Sequence, residues 1–106
     1  MSEAMFHVLV ALADEEQHGY SIMKTVAERT ERRVQLGTGT LYGIIKRLLA
    51  DGLIVELRRR GGDDTDRRRR LYGLTPFGRE VAKAEAERLH GLVAAARAAS
   101  LIARRV

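Results

Sequence analysis

The hydrophobic repeat of this chain changes at Gly52 from the 3.6-residue period of a helix to the 2-residue period of a strand. Before that point Leu41, Ile44, Ile45, Leu48 and Leu49 fall on one helical stripe, which leaves Thr40, Tyr42, Gly43, Lys46 and Arg47 on the outer face. After it, Leu53, Val55 and Leu57 alternate with Ile54, Glu56 and Arg58. One element cannot satisfy both repeats, so a helix must stop near Asp51 and a strand must follow. Thr38 supplies the hydroxyl of an N-cap for that helix, and Gly52 the residue that ends it. Gly61 to Asp66 reads GGDDTD, residues that tolerate positive φ or bond their own backbone. That turn brings Arg67 to Leu74 back as the partner in a two-stranded β-hairpin.

The flanking segments carry helical spacing. Met5, Val8, Leu9 and Leu12 repeat ahead of the acidic cluster Asp14, Glu15 and Glu16. Acid at a helix C-terminus opposes the macrodipole, so packing must hold this first helix. His18 and Gly19 interrupt it, and Tyr20, Met23, Val26 and Ala27 mark a short second helix ending near Thr30. Thr75 and Pro76 give a second helix-start signal, a hydroxyl followed by a residue with no amide hydrogen to satisfy. Beyond them Val81, Leu89, Leu92, Val93, Ala96 and Ile102 spread along an alanine-rich helix of about 40 Å if it is unbroken. Gly91 is the position for a bend. Such a stripe outruns the body of a small domain, which assigns Leu89, Leu92, Val93 and Ala96 to a dimer interface.

At 106 residues the chain suits one domain that buries roughly two-thirds of its unfolded surface. The expected fold is mainly α with that one hairpin: a winged helix-turn-helix over residues 1–75 and a long C-terminal dimerisation helix over 76–106, continuous with it. With no cysteine, disulfide scaffolds, thiolate metal sites and cysteine nucleophiles are excluded, and the chain suits a reducing cytoplasm. No run approaches the roughly 20 apolar residues of a membrane span, and Met5 to Ala13 lacks the basic leader of a signal peptide. His7, His18 and His90 are scattered outside any HExxH or Ser/His/Asp grouping, so no enzyme, metal or cofactor is expected. Asp63, Asp64 and Asp66 lack the spacing and terminal Glu of a calcium loop.

Nineteen Lys and Arg against 14 Asp and Glu give a net charge of +5, which favours an anionic partner. Its placement is more informative. Helix, helix, turn, helix, hairpin, helix is the order of a winged helix, whose third helix enters the major groove while the hairpin follows the phosphates. Lys46 and Arg47 lie on the outer face of that helix, and Arg58, Arg59, Arg60, Arg67, Arg68, Arg69 and Arg70 crowd the hairpin, where like charges on neighbouring strands repel unless an anion neutralises them. Thr38, Thr40 and the first-turn amides can hold a further phosphate. Tyr42 has two readings, contact with DNA or packing of its ring against the second helix. A protein-interaction module that uses its basic hairpin on acidic surfaces is the rival to a double-stranded DNA reader.

The segments HGYSIMKTVAERT, GTLYGIIKRLLADGLI and RRRRLYGLTPFGRE together resemble the PadR family of transcriptional regulators over roughly residues 5 to 90. The motif pieces are His18, Gly19, Tyr20; Gly39, Thr40, Leu41, Tyr42; Leu53, Ile54; and Tyr72, Leu74, Thr75, Pro76, Gly78. The resemblance implies a homodimeric winged-helix repressor on an inverted-repeat operator. It nominates Thr40, Tyr42, Lys46 and Arg47, with wing residues among Arg60, Arg67, Arg68 and Arg69. The regulation expected for such a dimer is release when a small-molecule effector or another signal changes the spacing of its two recognition helices. Gly43 departs from the family pattern, which has proline after the tyrosine, and loosens the first turn of the helix. The short C-terminus resembles that of compact relatives that dimerise through their first and last helices, which implies that Met5 and Leu9 of the first helix join the dimer interface.

Overall fold

The computed structural model describes residues 1–57 and 70–103. Arg58, Arg59, Arg60, Arg67, Arg68 and Arg69, the turn Gly61 to Asp66 and the end of the expected final helix, 104–106, lie outside the described residues. The elements are α1 (Glu3–Asp14), β1 (Gln17–His18), α2 (Gly19–Arg29), α3 (Thr38–Ala50), β2 (Ile54–Leu57), β3 (Leu71–Leu74) and α4 (Pro76–Ala98).

The Ser2 hydroxyl caps α1 by accepting from the Met5 amide at 3.1 Å. The helix is central, packed against α2, α4 and β3, and it buries Val8, Leu9, Ala11 and Leu12. Leu9 therefore cannot serve the dimer interface to which the resemblance assigned it: at 0% exposure it is sealed inside its own chain. The acid at the end of α1 is answered locally. Arg29 at the end of α2 pairs with Asp14, the Gln17 amide donates to Ala11 O at 2.8 Å, and Arg79 donates to Ala13 O at 3.4 Å. Gln17, only 5% exposed, is held in turn by the Thr25 hydroxyl at 2.8 Å. A buried amide with partners for both ends satisfies polar groups that would otherwise destabilise the core.

In α2 the buried pair is Ile22 and Val26, four apart, and Tyr20 is 58% exposed rather than part of the apolar stripe. The chain leaves this helix through Glu31 and Arg32 at φ 52° and 64°, where the Arg32 amide bonds Ala27 O and the Glu31 amide bonds Glu28 O. Thr38 is not the cap of α3. Gly37 holds that position with extended backbone and no side-chain bond, and Thr38 is already helical. The far end is as expected: Gly52, at φ +73°, sends its amide to Leu49 O while the Leu53 amide reaches Leu48 O, closing the helix in a Schellman turn.

Because Leu53 belongs to that turn, the strand begins at Ile54, which points inward at 2% exposure, and Val55 is 43% exposed. The sheet corrects the expected two-stranded hairpin. It has three antiparallel strands in the order β1-β3-β2, with Gln17 opposite Tyr72 and Tyr72 opposite Glu56. A strand of two residues is too short to display a period, so it read as an interruption between helices. Val8, Leu9, Leu12, Ile22, Val26, Leu41, Ile45, Leu48, Ile54 and Tyr72 form the core where the helices meet the sheet.

Thr75 joins the last helix to this body. Its hydroxyl accepts from the Gly78 amide at 2.8 Å and donates to Gly52 O at 2.7 Å, while its own amide donates to Leu53 O at 3.1 Å. Helix α4 then packs antiparallel to α1, with Ala82 and Ala86 beside Val10 and Phe6, and it runs through Gly91 without interruption to Ala98, where Ser100 at φ 62° turns the chain. Its 23 residues span about 34 Å, so the helix ends short of the expected length. Past the start of α1 it has little to pack on, and Leu92 and Val93 are 54% and 42% exposed. Among the described residues no helix is long and apolar enough to cross a membrane.

A Cβ on Gly78 would lie 1.9 Å from Leu53 O and 2.7 Å from its carbonyl carbon, backbone that cannot step aside. Gly78→Ala is expected to lower unfolding stability by about 3 kcal/mol or more, at the upper end of overpacking effects. Urea titration should show a lower midpoint at an unchanged m value.

Candidate nucleic-acid interface

Helix α3 presents a face with no acidic residue between Thr38 and Ala50. Thr38, Gly39, Thr40, Gly43, Lys46, Arg47 and Ala50 are exposed along it. No side-chain atom covers Gly39 or Gly43, four residues apart, so another backbone can approach the first turns closely. The first-turn amides of a helix point outward, carry the positive end of the macrodipole, and here have two threonine hydroxyls beside them.

The cations differ in how they are held. Arg47 is 71% exposed and bonds Asp51 at 3.2 Å, an i,i+4 pair that water screens and that releases readily. Lys46 is exposed at the rim of a cavity of about 170 Å³ lined by Tyr42, Ile45, Leu49, Arg70 and Tyr72. Arg70, the one described member of the hairpin arginines, has a carboxylate close by, with its Nε 3.4 Å from Glu56. It also hydrogen-bonds the Tyr72 hydroxyl. Lys46 and Arg47 are the basic groups the fold turns outward from α3.

Tyr42 departs from the outward orientation that its place in the repeat suggested. It is half-buried, its hydroxyl is enclosed with no hydrogen-bond partner among the described residues, and the ring rests on Gly19. The packing reading therefore describes this side chain. Position 42 neighbours the buried Leu41 in the helix, and a large ring there reaches sideways to α2.

The acidic residues lie elsewhere. Asp14, Glu15 and Glu16 border a cleft with Val55, Leu57 and Gly73, whereas Tyr42 and Lys46 border Tyr72. Adjacent strand residues point to opposite faces, so the sheet separates the acidic cluster from α3. Of the residues given to the dimer interface, Met5 is half-buried against the core, Leu89 and Ala96 are half-buried, and Leu92 and Val93 are exposed. Sequence reasoning missed Gln17, and it named Gly19 as an interruption and a motif residue without seeing that Tyr42 packs on it. Their signal, a polar residue and a glycine where one helix hands over to the next, is common to ordinary turns.

The chain matches the transcriptional regulator PadR-like family over residues 8–84 and belongs to that family, one of transcriptional regulators rather than enzymes. It is 38% identical over 73 residues to the transcriptional regulator Rv3488 of Mycobacterium tuberculosis, a match covering 69% of this chain and 63% of that one. It is 40% identical over 95 residues to an uncharacterized 37.1 kDa protein of transposon TN4556 in Streptomyces fradiae, covering 87% of this chain and 25% of that protein. The chain thus spans less than two-thirds of both relatives. Among solved structures it is similar to Bordetella bronchiseptica BpsR, whose DNA binding is regulated by 6-hydroxynicotinic acid (TM-score 0.68, 27% identity, 90% of this chain and 60% of that one). It superposes on Bacillus subtilis PadR in complex with operator DNA (TM-score 0.68, 22% identity, 81% and 46%). F93 from STIV, a winged-helix DNA-binding protein, shares the fold at TM-score 0.72 and 18% identity over 88% and 94% of the two chains. The fold is a winged helix.

Burial raises the Tyr72 hydroxyl above its ordinary pKa of 10.0, and the neighbouring Glu56 and Tyr42 push the same way against the lowering effect of Arg70. A folded-state pKa above the unfolded value favours the protonated phenol, so its contribution is complete below pH 10.0 and is lost as pH rises through the folded value. Stability measured above that pH should fall more steeply in the wild type than in Tyr72→Phe.

Proposed function

We propose that this chain is a homodimeric transcriptional repressor that grips an inverted-repeat operator in double-stranded DNA, lets go when a small-molecule effector binds, and works in the cytoplasm. The observation that carries the reading is the outward face of α3, which carries Lys46 and Arg47 and no acidic residue between Thr38 and Ala50, while the cluster Asp14, Glu15 and Glu16 lies across the sheet. Lys46 and Arg47 enter the major groove. Thr38, Thr40 and the open amides beside them hold a phosphate at the helix start, and Arg60, Arg67, Arg68 and Arg69 of the wing follow the backbone.

Dimerisation rests on the far end of α4. Leu92 and Val93 stand exposed beyond the start of α1, with Leu101 at 79% exposure after them, and a second copy laying its own α4 across them buries both sets. Two recognition helices are then held at a fixed spacing, matching half-sites about 34 Å apart or a multiple of that. BpsR, similar in fold, has its DNA binding regulated by 6-hydroxynicotinic acid, which supports control of this chain by a small-molecule effector.

If each half neutralises about four phosphates, the logarithm of affinity falls against the logarithm of salt with a slope of about −7. In a fluorescence anisotropy titration with a duplex selected from random sequence, Lys46→Ala should weaken binding. If Lys46 contacts a phosphate, the slope becomes shallower by about 1 per half-site, and if it reads a base, discrimination relaxes at one position. A salt-independent affinity would remove the electrostatic claim. Val93→Glu should shift the protein from dimer to monomer in light scattering at micromolar concentration and lower operator affinity with it, and a dimer that survives that charge places the interface elsewhere.

A further inference from the structure

The geometry points to Tyr42 as a positioning residue: its ring sets the stand-off of α3 from the first turn of α2, and so aims the recognition helix without touching DNA. The inference rests on the DNA-binding reading above and deepens it. A Cβ at Gly19 would come within 2.8 Å of the Tyr42 hydroxyl oxygen, 3.2 Å of Cζ and 3.3 Å of Cε1, so the ring occupies the space that glycine leaves open. Gly19 is buried and is the first residue of α2. On its other side the ring shares a small cavity with Ile45, Leu49 and Tyr72, the last of these on wing strand β3. One side chain of α3 thus packs on α2 and faces a cavity bordered by the wing strand, so it lies where the three elements that a winged helix must hold in register meet.

The consequence is mechanical. Thr38, Thr40, Lys46 and Arg47 lie on both sides of position 42, so a tilt of α3 about that ring displaces every one of them together. The tyrosine oxygen is enclosed and unpaired among the described residues, and it contributes contact with Gly19 but no bond. Removing that oxygen leaves the ring in place. Adding a methyl group at Gly19 pushes the ring off its seat, and removing the oxygen from the same protein relieves the closest of the three contacts.

The test compares wild type, Tyr42→Phe, Tyr42→Leu, Gly19→Ala and the double variant Gly19→Ala/Tyr42→Phe in the full chain. Binding is measured to a duplex selected on the wild type and to random-sequence DNA, well below each melting temperature. Tyr42→Phe should keep operator affinity within about threefold and leave the salt slope unchanged. Gly19→Ala should lose about tenfold in operator affinity with a smaller loss on random DNA, and the double variant should recover most of that loss. If Gly19→Ala does not fold, the contrast between Phe and Leu at position 42 still decides, because Leu removes the strut and should lower operator affinity in a protein that remains folded. Loss of operator binding in Tyr42→Phe at an unchanged melting temperature overturns the inference, since it shows the hydroxyl at work on DNA. Unchanged affinity in folded Gly19→Ala or in Tyr42→Leu overturns it too, as does a double variant that fails to recover. A wild type that binds no duplex overturns the DNA-binding reading beneath it, an outcome distinct from all of these.

Discussion

The corner at Gly52 and Leu53 holds the molecule together. The backbone there ends α3, starts β2 and receives α4, all within a few residues. Two carbonyls do the joining: Gly52 O takes the Thr75 hydroxyl at 2.7 Å and Leu53 O takes the Thr75 amide at 3.1 Å. The absence of a side chain at Gly78 lets the first turn of α4 sit directly on Leu53. Helix α3, strand β2 and helix α4 therefore meet at one corner, joined through backbone groups a few residues apart. Backbone hydrogen bonds and a close backbone contact make that junction, and both are stiffer than a contact between long side chains.

The helix start at Thr75 was legible because capping chemistry is local: a hydroxyl next to a proline at the first helical position leaves few alternatives. The end of α3 was legible for a similar reason, since Gly52 is where a left-handed residue is needed. Similar turns close α2 and α4 with Glu31, Arg32 and Ser100 at positive φ, residues that carry no such signal. The strand β1 was hidden because its pairing with Leu71 and Tyr72 joins segments more than 50 residues apart in the chain, and two residues show no alternation. Leu9 illustrates the limit of periodicity. The repeat identifies an apolar face, but whether that face meets its own chain or another is decided by how many neighbours surround the helix, and α1 has three.

The candidate interface was legible in its charges and less so in its aromatic residue. Lys46 and Arg47 are turned outward by the burial of Ile45 and Leu48 on either side of them, so helical spacing alone places them. Tyr42 sits at the border between faces, where spacing cannot say whether a long ring folds inward or outward. What decides is the glycine at the start of α2, a residue far from it in sequence. An aromatic residue on the border of a recognition helix is therefore best read together with the small residues of the helix that precedes it.

The surplus of α4 completes the argument. The core is filled by residues from α1 to β3, and α4 adds no large apolar side chain that is fully buried, only the backbone seat at Gly78 and the half-buried Val81 and Ala82. Beyond the start of α1, Leu92 and Val93 stay exposed in a single copy, and exposed apolar residues lower solubility. On the reading proposed above they acquire a purpose only when two copies meet, and the same helix that meets the partner is the one seated on the Gly52 corner. Partner contact and recognition helix are thus two ends of one rigid lever. On that reading the spacing between half-sites is set by the angle at which two such levers cross, and a molecule that changes the crossing changes the fit to DNA without touching the residues proposed to read it.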